Sequence, residues 1–263
     1  MIITGFKDLD LLINGFNPGD LIVLGGRPGM GKTSFALEIT RNVAMNQCNP
    51  VHFFSLEMSC EQVERWLLLQ ESQVNVKHVL SGEVTEKQKN HMASVAKRLA
   101  DAPIYIDDEC LMTVSKMKAK LQKENPIGLV IIDYLQLMSD EEKSRPHKIS
   151  EMVIAHEMKR MAEELHIPVL VCAQISKAVD RGNGSHRPQL SHLNIYGSVD
   201  TVADVVLFLY RDWYYNSADK NADENSAECI VAKNRNDSTG TVPLRFNSEY
   251  ISFSSCEQPP LSE

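Results

Sequence analysis

The run Gly26-Arg27-Pro28-Gly29-Met30-Gly31-Lys32-Thr33 fills the pattern G-x-x-x-x-G-K-[ST] at every fixed position. Glycines at these spacings let a backbone wrap a chain of phosphates with its N–H groups turned inward. A lysine after the last glycine can reach the β- and γ-phosphates, and the hydroxyl that follows is a ligand for Mg2+. The apolar run Leu21 to Leu24 precedes the loop, and apolar residues at helical spacing (Phe35, Ala36, Ile39, Val43) follow it. A helix opening at that point adds partial positive charge where the phosphates would lie. The assigned nucleotide contacts are therefore Gly26, Arg27, Pro28, Gly29, Met30, Gly31, Lys32, Thr33 and Ser34, with Thr33 on the metal; the implied ligands are ATP and Mg2+.

Further reactive side chains stand at the ends of apolar runs. Asp133 closes Gly128-Leu-Val-Ile-Ile, where a carboxylate beside the loop can hold the Mg2+ shell. Glu57 follows Val51 to Leu56. It fits a general base for the attacking water, and equally a solvated acid at a helix start next to Glu61 and Glu64. Gln174 closes Val169 to Ala173, either as a γ-phosphate sensor or as a plain polar strand end. Lys233 and Arg235 follow Cys229 to Ala232. They suit an arginine finger and its partner reaching a neighbouring subunit, or a solvated hairpin tip. The stretch Lys177 to Arg187 holds three fixed cations (Lys177, Arg181, Arg187) and one acid. It reads as a basic loop for a phosphate backbone, or as an ordinary surface loop.

Strands must carry these groups to one edge. Apolar runs at 21–24, 51–56, 104–106, 128–133, 169–174 and 205–210 alternate with helical patterns at 33–45, 59–69, 85–99, 113–123 and 149–165. That alternation predicts βαβ units and a mainly parallel sheet flanked by helices. The runs 229–232 and 242–246 have no helix between them, so antiparallel edge strands are expected. Ser59 and Gln62 have the spacing of a capping box. Segments 139–148, 177–197 and 213–226 read as loops. A chain of 263 residues, 43% apolar and 24% charged, suits a single domain over 1–263.

A net charge of −8 argues against a simple polybasic binder but not against basic residues gathered in one channel. The six cysteines (48, 60, 110, 172, 229, 256) form no C-x-x-C pair, which fits free thiols in the cytoplasm; Cys172 reads as core. No apolar run approaches the ~20 residues of a membrane span.

In this order the motifs resemble the ATPase domain of DnaB-type replicative helicases, within the RecA-like P-loop NTPases. The similarity extends nearly end to end. It includes Gly5-Phe-x-x-Leu9-Asp10, Arg27 to Thr33, Phe53-Phe-Ser-Leu-Glu57-Met58-Ser59, Ile132-Asp-Tyr-Leu-Gln-Leu-Met138, Pro168 to Gln174, Gly197 to Arg211 and Ala232-Lys-Asn-Arg-Asn236. The resemblance implies a hexameric motor with ATP between subunits and single-stranded DNA in a central channel, working with primase- or loader-type partners. It also implies that Glu57 is the catalytic base, that Gln174 couples hydrolysis to movement, and that Lys233 and Arg235 contact phosphate in trans. One departure stands out. Where the family carries Asp-Leu-Arg-Glu-Ser-Gly, this chain has Ser191 to Gly197, with Asn194 and Ile195 in place of the arginine and glutamate. The family's N-terminal helical collar has no counterpart in the sequence, as in a trimmed domain or a short paralogue. These differences keep a second reading open, a regulatory RecA-like ATPase or helicase paralogue acting on a protein partner.

Overall fold

Leu21 to Gly26 are buried at every position because this strand lies mid-sheet with helices on both faces. Ile22 and Leu24 face one core, Leu21 and Val23 the other. The computed structural model of the chain describes residues 1–256 except 124–125, 142–146, 182–185, 194–198 and 220–221, and leaves out the side chains of 147–150 and 181. The departure at Asn194 and Ile195, with Tyr196 and Gly197, lies outside the described residues.

Chain order is α1 (Lys7–Ile13), β1 (Leu21–Gly26), α2 (Lys32–Arg41), β2 (Val51–Ser55), α3 (Cys60–Ser72), α4 (Val76–Ser81), α5 (Glu86–Asp101) and β3 (Ile104–Asp107). Then come α6 (Val114–Leu121), β4 (Leu129–Asp133), α7 (His147–Leu165), β5 (Val169–Gln174), α8 (Val199–Val202) and β6 (Val205–Tyr210). The order ends with α9 (Trp213–Asn216), β7 (Ser226–Asn234), β8 (Gly240–Asn247) and β9 (Ser252–Ser255). The described strands form one sheet, β3-β2-β4-β5-β1-β6-β7-β8-β9. Every pairing from β3 to β6 is parallel, and those of β7, β8 and β9 are antiparallel. The parallel sheet and its antiparallel edge are as the apolar runs predict.

One core packs α1, α2 and α3 on the sheet through Leu9, Phe35, Ile39, Val63 and Leu67. The opposite core packs α6 and α7 through Met117, Leu121, Ile154, Met158 and Met161. Chain direction follows from the parallel strands: the carboxyl ends of β1, β2, β4 and β5 share one edge, where ligands of such sheets bind. Local signals set several boundaries. The capping box is present at α3, where Gln62 Oε1 accepts from Ser59 N at 2.9 Å and Ser59 Oγ from Gln62 N at 3.4 Å.

The expected helix 33–45 is α2 only to Arg41 and continues as a π turn over Asn42–Asn46. Strands β7 and β8 are longer than their apolar runs, so Lys233 lies inside β7 and not at a hairpin tip. Segments read as loops hold the short helix α9 and 3-10 turns at Lys177–Arg181 and Leu190–His192. Helices α1, α4 and α8 and strand β9 have no counterpart among the sequence patterns.

Candidate active site

The loop after β1 is shaped by its glycines. Gly29 and Gly31 have φ of +80° and +93°, a region open mainly to glycine. A Cβ on Gly31 would lie 2.8 Å from the Phe253 ring, and one on Gly29 2.9 Å from the Tyr214 ring. Both positions therefore exclude side chains on two grounds.

Lys32 is buried to 8% exposure, and its Nζ donates to the carbonyls of Gly26 at 3.0 Å and Arg27 at 3.2 Å. Burial pulls its pKa down, while the nearby Asp133 and Glu57 carboxylates act against that. The Thr33 hydroxyl donates to Asp133 Oδ2 at 2.7 Å, which joins the start of α2 to the end of β4. Burial pushes the Asp133 carboxyl up, against the Thr33 hydrogen bond and the Lys32 charge. Cys172 is fully buried, as a core reading requires, and burial, with Asp133 close by on the neighbouring strand, pushes its thiol well up.

Sheet register brings the other strand ends in. Ser55 pairs with Asp133, and Leu56 N donates to Asp133 O at 2.8 Å, so Glu57 emerges beside Asp133. Gly26 pairs with Gln174. Gln136 links the two chain exits: its Oε1 accepts from Gln174 N at 3.0 Å and its Nε2 donates to Gln174 O at 3.4 Å. A cavity of about 310 Å3 opens at these strand ends. Lys32, Thr33, Glu57, Asp133 and Gln174 line its polar part, and Pro28, Gly29, Gly31 and Ser34 its floor.

Three of the residues assigned to nucleotide contact do not line this cavity. Gly26 is the carbonyl that holds Lys32. Met30 is buried in the core and anchors the loop from below. Arg27 turns away to Asp180. Conversely, Trp66, Tyr134, Phe246 and Ile251 line the cavity although the sequence assigned none of them to a site. Trp66 reads as part of an apolar helix face and Phe246 as the end of an alternating strand. Arg211 supports this apolar end, with its guanidinium 3.9 Å from the Phe246 ring centre and Nη1 3.4 Å from the Gly29 carbonyl.

Lys233 and Arg235 are not part of this cavity. Lys233 Nζ donates to the carbonyls of Asp200 and Ala203, both at 2.6 Å. Arg235 Nη1 pairs with Asp204 Oδ1 at 3.0 Å, and Nη2 donates to Thr201 O at 3.0 Å. Asp204 also accepts from Leu21 N and Lys159 Nζ. This cluster marks the amino-terminal ends of β1 and β6. The P-loop is at the other end of the six-residue β1, more than about 15 Å away by strand rise.

The residues present fit a nucleotide with Mg2+. A hydroxyl and a carboxylate in contact are two hard oxygen donors, the number Mg2+ takes from protein when phosphates and water fill the rest. Among the described residues no group of three His, Cys, Asp or Glu forms a metal cage.

Residues 2–255 match the family of DnaB-like helicase C terminal domains. The chain belongs to this family. It is 39% identical over 259 residues to the replicative DNA helicase DnaB of Geobacillus stearothermophilus, covering 97% of this chain and 56% of that one. The replicative DNA helicase DnaC of Bacillus subtilis (strain 168) shows the same identity and coverage. The chain thus spans about half the length of these curated relatives. Among solved structures, one ATPase domain superposes with a TM-score of 0.91 at 28% identity, covering 97% of this chain and 91% of that one. A DnaB-like replicative helicase described with its primase interactions gives 0.92 at 28%, covering 97% and 62%. The fold is RecA-like, as the motifs imply. No helix among the described residues is long and apolar enough to cross a membrane.

Proposed function

We propose that this chain is the ATP-hydrolysing motor part of a replicative DNA helicase, assembling as a hexameric ring around single-stranded DNA. The observation that carries this reading is the Thr33–Asp133 contact set in one cavity with Lys32, Glu57 and Gln174. The backbone N–H groups of the loop and the Lys32 ammonium hold the phosphates. Thr33 and Asp133 hold Mg2+, which neutralises charge on the transferred phosphoryl oxygens when bound. Glu57, an exposed carboxylate at the mouth, orients the attacking water and accepts its proton. Gln174 contacts the γ-phosphate and passes its loss to the basic loop after β5. The apolar end formed by Trp66, Phe246 and Ile251 receives the nucleoside.

Lys233 and Arg235 act on a neighbour's nucleotide. Their position at the opposite end of β1 from their own P-loop supports a trans contact over a cis one. A primase or helicase-loading protein is the matching class of protein partner. The test is the ATPase rate with and without single-stranded DNA, measured beside the mass in solution. Stimulation by DNA in an assembled species is expected. A rate indifferent to DNA but raised by a protein partner would replace the motor with a regulatory ATPase.

A further inference from the structure

The Arg27 side chain leaves the phosphate loop and closes a clasp on the basic loop. Its Nη1 donates to Ile175 O at 3.2 Å, and its Nε and Nη2 grip the two oxygens of Asp180 at 3.2 and 2.6 Å. The same carboxylate accepts from the Tyr215 hydroxyl at 3.0 Å. The Tyr215 ring stacks on His186 with 4.2 Å between centres. Burial pushes the Asp180 carboxyl up, but the Arg27 and Tyr215 hydrogen bonds outweigh it and hold it below the usual range. Burial and Asp180 push the Tyr215 phenol up to about 12, so it stays protonated and donates.

Both ends of the clasp are fixed. Arg27 O accepts from Lys32 Nζ, so one residue holds the P-loop lysine with its carbonyl and the basic loop with its guanidinium. Asp180 sits in the 3-10 turn Lys177–Arg181, which begins three residues after Gln174 and is anchored by buried Val179. Tyr214, next to Tyr215, packs on Gly29 of the P-loop. The Asp180 side chain is 36% exposed, and an ion pair with one partner so open adds little stability. A bidentate Arg–carboxylate fork instead fixes direction and distance.

We propose that Asp180 is a positioning residue that couples the P-loop to the basic loop through Arg27, with Tyr215 holding the carboxylate in place. Movement of the P-loop backbone on nucleotide binding is then carried into residues 177–181. By reciprocity, DNA held on that loop alters nucleotide affinity. The DNA half rests on the motor reading above; the clasp itself does not.

The test uses the full chain with Asp180→Asn, Asp180→Glu and Tyr215→Phe, in two arms. In the first, hydrogen exchange of the 177–181 amides is followed on adding a non-hydrolysable ATP analogue. The wild-type response is expected to be lost in Asp180→Asn, weakened in Tyr215→Phe and kept in Asp180→Glu. A wild-type loop indifferent to nucleotide, or an Asp180→Asn loop that responds as wild type, overturns the clasp. In the second arm, the ratio of the DNA-stimulated to the DNA-free ATPase rate is expected to fall about five-fold or more in Asp180→Asn. Equal proportional loss of both rates overturns the coupling role. A nucleotide response at 177–181 in a wild type that ignores DNA sinks the motor reading and leaves the clasp standing.

Discussion

Lys32 concentrates the chemistry of the site. Its ammonium is almost enclosed, held by two carbonyls of its own loop, and faces Asp133 and Glu57 across the cavity. Lys32→Ala removes the charge that the proposed function sets against the phosphates. Hydrolysis is expected to fall about 100-fold or more, the usual scale for losing one such donor. Nucleotide binding should weaken as well, read by steady-state rates and by titration with a fluorescent nucleotide. Wild-type turnover in this variant would remove the site assignment. Lys32, Thr33 and Asp133 were legible because their placement follows from residue type and spacing along a strand, loop and helix. Arg27 and Met30 share the same motif yet point elsewhere. Spacing fixes a backbone path; where a side chain turns depends on neighbours such as Asp180, which is 153 positions away in sequence.

At the level of elements, α7 carries an uncommon group. Glu151 is 2% exposed, and burial raises its carboxyl from 4.5 to about 7. Folding therefore favours the protonated form. The stability this contributes is fully present below pH 4.5 and is lost as pH rises through about 7. The loss amounts to at most about 3 kcal/mol. Glu151→Gln should flatten that dependence and raise the denaturation midpoint at pH 8 relative to pH 4.5, compared with wild type. A wild-type midpoint that does not fall relative to the variant over this range would contradict the buried-acid reading. Helices with long apolar stripes and local caps, such as α3 and α5, were visible in the sequence because their signals lie within a few residues. Strand β9 has one buried aromatic, Phe253, among serines, and it exists through its pairing with β8. Helix α1 is two turns long, with Leu9 and Ile13 as its buried contacts. Neither pattern stands out from a loop before the partner surface is in place.

For the whole molecule, the main question is where the site ends. Arg235 and Lys233 sit at the opposite end of β1 from the P-loop, tied to Asp204 and to the carbonyls of Asp200 and Ala203. Arg235→Ala should cost about 1,000-fold in turnover where subunits assemble, on the scale of other arginine fingers. A verified monomer should lose nothing. Measuring ATPase rate across a concentration series, with mass determined at each point, separates the two. Equal loss in the monomer would show that Arg235 acts within its own chain or only supports the fold. Asp204 keeps Lys159 and Leu21 N after the substitution, so the fold should tolerate it. The family, and with it the RecA-like sheet, was legible because several distant motifs occur in the right order, which a chance loop does not produce.

The sequence by itself determined the glycine-rich loop after β1, the parallel sheet, the strand-end groups Glu57, Asp133 and Gln174, and the family. Each is written in contiguous residues whose chemistry and period act locally. Tertiary structure alone decided which of these groups share a cavity, since that follows from strand order and register. It supplied Trp66, Tyr134, Phe246 and Ile251 as walls, because a wall is defined by what stands opposite. It separated Lys233 and Arg235 from their own P-loop by the length of a strand. It also set the Arg27 guanidinium on Asp180, a pairing that exists only once β1 and β5 lie side by side.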